Sequence, residues 1–180
     1  MTNRVKEQHI AVFGESGSGK TVLLSSFFGA TQEPSLLSGS SYRVVANDIG
    51  QGNLLRQNYL QMRNQAQAPQ ASRFAAVPYR FTIRPHTSED EARRSKPGAA
   101  AMELVWHDYP GEWFVEEPSS EQERERRIDT FTKLLKSDVA LILVDGQMLI
   151  DYRGEEERYL KSMLWSMRGG LENLRDNIEQ

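Results

Sequence analysis

The chain has 180 residues, 38% hydrophobic and 26% charged, with a formal net charge of −3, which is the composition of one globular domain. The absence of cysteine excludes disulfide scaffolds, Cys-ligated metals and thiol catalysis. Three scattered histidines do not build a zinc site, and the mildly acidic balance lacks the footprint of a nucleic-acid binder. Every apolar run is too short to cross a membrane, and residues 1–7 lack the apolar segment of a signal peptide, so a cytoplasmic protein is expected.

The first element in chain order is His9-Ile10-Ala11-Val12-Phe13, a short β-leaning apolar run that reads as a buried strand. The run Gly14-Glu15-Ser16-Gly17-Ser18-Gly19-Lys20-Thr21 follows, then a helix from Val22 to Phe28 with Gly29 as its stop. Thr31 to Ser41 is rich in Ser, Gly and Pro and reads as a loop, and Tyr42 to Ala46 as a short strand. Asn53 is read as the cap of a helix running to about Asn64, with Leu55, Tyr59 and Met62 on one face. A polar connector, Gln65 to Ser72, leads to Val77–Arg84, where Tyr79, Phe81 and Ile83 alternate as in a strand. Ala101 to His107 is a second strand, and the two are expected to pair as a hairpin with a long polar tip. Glu121 to Lys136 reads as a helix. Val139-Ala140-Leu141-Ile142-Leu143-Val144 is the most apolar stretch and reads as a central parallel strand buried on both faces. Glu155 to Ile178 is helical, with Gly169-Gly170 as an expected kink or break.

Gly14-x-x-x-x-Gly19-Lys20-Thr21 matches the phosphate-binding P-loop pattern in full. Its glycines let the backbone turn tightly and aim successive N–H groups at a phosphate chain. The helix that follows adds its positive end. Lys20 is expected to reach the β- and γ-phosphates, and Thr21 to place its hydroxyl on Mg²⁺. Ser16 and Ser18 are read as small loop residues and Glu15 as a solvated one. A chance Gly/Ser-rich turn is the competing reading, opposed by the strand before the motif and the helix after it.

The second constellation is Trp106-His107-Asp108-Tyr109-Pro110-Gly111-Glu112. A P-loop protein needs a carboxylate at a neighbouring strand end for the Mg²⁺ shell, and Asp108 is placed to be it. Gly111 adds a backbone N–H able to sense a γ-phosphate. By itself Asp-x-x-Gly is also an ordinary β-turn.

P-loop, strand pair and Trp-x-Asp-x-x-Gly-Glu together resemble the first half of a Ras-like G domain of the TRAFAC GTPase class, over about residues 8 to 178. The run Asp108 to Trp113 is similar to the bacterial YcjX-like and double-GTPase branches. The resemblance implies a three-layer α/β sandwich, mostly parallel with one antiparallel edge strand. It also implies Mg²⁺ and GTP (or ATP) as ligands, and a protein effector as partner. Residue by residue, Gly14 to Thr21 would bind phosphate, Asp108 to Gly111 would form switch II, and Glu112 would orient or activate the attacking water. Ser72 stands where the switch I Mg²⁺ ligand is expected, with Thr31 and Ser41 as alternatives, and Arg73 beside it could neutralise phosphate charge.

The guanine-reading Asn-Lys-x-Asp is not in the sequence. The 180 residues therefore read as the N-terminal two-thirds of a G-like domain, its fifth and sixth strands supplied by more chain or by something else. Three functions compete: a GTPase switch, an ATPase or kinase-type P-loop enzyme, and a nucleotide-binding scaffold without significant turnover. Asp-x-x-Gly opposes the second, and the intact Lys20 and Thr21 oppose loss of nucleotide. The charged run Glu121 to Arg127 reads as a solvated helix face or an effector surface, Trp106 and Trp113 as packing anchors, and Asp145 as a cap or nucleotide contact.

Overall fold

The computed structural model describes residues 6–69, 78–85, 101–108, 113 and 118–178. Its strands are β1 (Lys6–Phe13), β2 (Tyr42–Ala46), β3 (Tyr79–Pro85), β4 (Met102–His107) and β5 (Val139–Ile142), in one sheet of order β2-β3-β4-β1-β5. Its helices are α1 (Lys20–Thr31), α2 (Pro34–Gly39), α3 (Ile49–Gln65), α4 (Glu121–Leu135), α5 (Gly146–Asp151) and α6 (Glu156–Ile178). β1 lies between β4 and β5 and is parallel to both, while β3 runs antiparallel to β2 and β4. Four strands thus share one direction, and the expected α/β class and strand pair are present. The antiparallel strand is interior rather than at the edge, because β2 adds itself outside β3.

Alternation along β1 sorts the core into two layers. Val12 faces Leu24 and Phe28 of α1, Leu55 of α3, and Val44, Phe81, Leu104 and Trp106 from the other strands. Ala11 and Phe13 face the opposite way, onto Phe131 and Leu134 of α4 and Met167 of α6. Helices on both sides of the sheet make the three layers of the expected sandwich.

Several local expectations give way to tertiary reasons. Helix α1 runs through Gly29 instead of stopping there: a Cβ at that position would overlap the Tyr59 ring, so the glycine lets α3 approach α1. Helix α3 starts before Asn53, because Asp48 caps it, accepting a hydrogen bond from Gln51 N at 2.7 Å. The Ser/Gly/Pro stretch holds the short α2, with Pro34 in its first turn and the Glu33 carbonyl accepting from Leu36 N and Leu37 N. Helix α6 passes unbroken through Gly169-Gly170. The largest correction concerns β5. It is an edge strand, with Val139 46% and Ile142 51% exposed, not a central strand buried on both faces. Among the described residues no helix is long and apolar enough to cross a membrane.

Candidate nucleotide site

The parallel strands β1 and β4 end at the same edge of the sheet, in the register Ala11 opposite His107. The P-loop leaves the first and Asp108 leaves the second. Ligands of open α/β sheets bind at this carboxyl edge.

The loop is folded by its own sequence. Gly17 (φ 84°) and Gly19 (φ 92°) adopt the left-handed backbone that glycine enters without strain. At Gly14 a Cβ would collide with Ser18 Oγ and come within 3.0 Å of Leu143 O, so only glycine lets the loop close against the start of the β5 exit. Lys20 is buried, and its Nζ donates to Gly14 O and Glu15 O, both at 2.8 Å. An ammonium on a flexible stem is thereby fixed beneath the loop. Ser18 Oγ is buried, with no hydrogen-bond partner among the described residues. Side chains cap α3, α4 and α5 through Asp48, Ser120 and Asp145, whereas among the described residues no side chain caps α1, whose N-cap is Gly19, or α2. The positive end of α1 follows the loop directly, the arrangement that suits a phosphate chain.

Asp108 is buried, 6% exposed. Its charge reaches Tyr79, whose phenol is pushed above its ordinary pKa first by burial and then by Asp108. Tyr79 stands opposite Trp106, so the chain entering β3 arrives at the Asp108 end of the sheet. His107 Nε2 and His9 Nδ1 share a hydrogen bond of 2.9 Å with the rings stacked. Burial, then the neighbouring His9, lowers the His107 pKa to about 4.

The structure thus brings Gly14, Glu15, Ser16, Gly17, Ser18, Gly19, Lys20 and Thr21 to the sheet edge beside Asp108. Ser72, Arg73, Gly111 and Glu112 lie outside the described residues. The alternatives to Ser72 are not at the site. Thr31 closes the far end of α1, roughly 15 Å along the helix from Thr21, and its hydroxyl donates to Phe28 O. Ser41 precedes β2, which β3 and β4 separate from β1. Asp145 is a cap, its Oδ1 accepting from Gln147 N and Met148 N. Trp106 is a core residue, and Trp113 packs on Phe131. The Glu121–Arg127 run is solvated only in part: Arg127 is buried, with Glu123 at 2.6 Å and its guanidinium over the Trp113 ring.

Sequence reading missed the burial of Tyr159, in the first turn of α6, where its ring stacks on Tyr152. Its one signal is the four-residue step to the buried Met163 and Met167.

No curated protein matches this chain. The profile of the family described as Double-GTPase 2 matches residues 8–179. That span takes in the P-loop, Asp108, β2 to β5 and all of β1 but its first two residues, and it supports GTP binding at the level of the family. The chain belongs to the Double-GTPase 2 family.

Proposed function

We propose that this chain binds Mg²⁺-GTP, hydrolyses it slowly, and acts as a nucleotide-dependent switch on a protein partner in the cytoplasm. The observation that carries the reading is the fold of the loop itself, with Gly17 and Gly19 in the left-handed region and Lys20 held by two loop carbonyls at the start of α1. Its backbone amides and Lys20 would hold the β- and γ-phosphates, positioning them and offsetting their charge.

The donor set fits Mg²⁺: a hydroxyl in the first turn of α1, Thr21, and a buried hard carboxylate, Asp108, at the adjacent strand end. Thr21 and Asp108 would hold the ion, with Ser72 as a further ligand, and the bound ion would neutralise charge on the phosphate oxygens. Glu112 would orient the attacking water, and Gly111 would report the γ-phosphate through its N–H. Asp-x-x-Gly and family membership both favour GTP over ATP.

The test is a titration with fluorescent GTP and ATP analogues, with and without Mg²⁺. GTP is expected to bind more tightly than ATP, Mg²⁺ to strengthen binding, and Lys20→Ala to abolish it while the fold survives. Unchanged binding in Lys20→Ala, or indifference to both nucleotides, overturns the reading. Hydrolysis followed by phosphate release separates a slow GTPase from a scaffold that only holds nucleotide.

A further inference from the structure

The described residues hold three buried side-chain polar atoms without a hydrogen-bond partner, and one of them, Ser18 Oγ, belongs to the P-loop. A buried hydroxyl left without a partner costs free energy, so its place in a loop built for binding asks for a reason.

Gly14 shows where that hydroxyl lies. The position a Cβ would take on Gly14 overlaps Ser18 Oγ and stands 3.0 Å from Leu143 O. Two segments thus converge on one point, the P-loop through Ser18 and the end of β5 through Leu143. Leu143 N donates to Phe13 O at 2.7 Å, whereas among the described residues no main-chain N–H donates to Leu143 O. A hydroxyl donor and a carbonyl acceptor therefore share the space that the missing Gly14 side chain leaves.

The loop itself is held unevenly. Its first half is fixed by Lys20 Nζ, which donates to Gly14 O and Glu15 O at 2.8 Å. Its second half has Ser18 N on Glu15 O at 3.2 Å, the long end of the hydrogen-bond range. Lys20 is also the side chain that must reach the phosphates. As the ammonium turns to them its hold on the two carbonyls weakens, and a second tie at the back of the loop gains value.

We propose that Ser18 is a positioning residue for the P-loop: in the nucleotide-loaded protein its hydroxyl donates to Leu143 O and fastens the phosphate-binding loop to the exit of β5. This rests on the reading of the P-loop as a nucleotide site. The bond satisfies both groups and keeps the loop amides aimed at the phosphates without reorganisation. It also couples loading of the loop to the segment in which Asp145, two residues beyond Leu143, caps α5.

The experiment follows the Leu143 carbonyl carbon by NMR, read through the Val144 amide, with and without Mg²⁺ and a non-hydrolysable GTP analogue. In the wild type its resonance is expected to move downfield on loading, as a carbonyl does on accepting a hydrogen bond. In Ser18→Ala at saturating nucleotide it is expected to stay in place. Ser18→Ala is also expected to weaken nucleotide binding about fivefold. Its nucleotide-free melting temperature is expected to be unchanged or slightly higher, because an unpartnered hydroxyl is removed. The proposal is overturned if the wild-type resonance does not move at saturation, if it moves equally in Ser18→Ala, if Ser18→Ala binds as tightly as the wild type, or if that variant destabilises free and loaded protein alike. A wild-type chain that binds no nucleotide removes the P-loop reading itself, an outcome distinct from a loaded chain whose Leu143 carbonyl is unmoved.

Discussion

β4 and β5 flank β1 on opposite sides, both run parallel to it, and both are short apolar runs ending in an aspartate. In β4, Leu104, Val105 and Trp106 are no more than 6% exposed, and in β5, Val139 and Ile142 are about half exposed. The difference lies in their neighbours. β4 has β3 on its far side and contributes Leu104 and Trp106 to the larger core. Among the described residues β5 has β1 alone, and Leu164 and Trp165 of α6 are 50% and 72% exposed. An apolar run states a demand for burial, and topology decides how far the demand is met. The aspartates follow suit: Asp108 is buried beside the P-loop, while Asp145 serves as a helix cap.

The largest expected effect is on the β4 side. Trp106→Ala empties a site in the main core and should cost about 3–5 kcal/mol, read by guanidinium unfolding. A loss comparable to that of a surface substitution would contradict the packing described for this flank.

The next effect is smaller and depends on pH. His107 is neutral in the folded protein down to its lowered pKa of about 4, whereas the unfolded chain takes up that proton near the ordinary value of 6.5. Between these values the unfolded state binds more protons, so stability rises with pH and is lost as pH falls from about 6.5 to 4. Allowing for solvent at a half-buried ring, the loss is on the order of 1 kcal/mol. The His9–His107 hydrogen bond also needs one ring nitrogen unprotonated. His107→Gln should flatten the profile across this window, and an unchanged slope would assign the dependence to other groups.

The smallest stability effect belongs to β5. Ile142→Thr should change unfolding free energy by no more than about 0.5 kcal/mol. Val139→Lys should lower light scattering of concentrated protein, because a charge on an open apolar edge discourages strand pairing. A loss approaching that of Trp106→Ala would mean that β5 is as enclosed as β4.

The same contrast separates what could be read in the sequence from what could not. The P-loop was legible because each position answers to a local demand: positive φ at Gly17 and Gly19, close approach at Gly14, a cation at Lys20. Asp108 was legible as the end of an apolar strand. The run of α1 past Gly29 was not, because the glycine answers to Tyr59, thirty residues on in another helix. The edge position of β5 depends on strand order, which composition does not encode.

The central claim is that the amides from Gly14 to Thr21 form a phosphate cradle. Hydrogen exchange of those amides, with and without Mg²⁺ and a non-hydrolysable GTP analogue, tests it most directly. Slowed exchange across residues 14–21 on adding nucleotide, absent in Lys20→Ala, is the expected result. Equal exchange rates in the wild type at saturating nucleotide would contradict it.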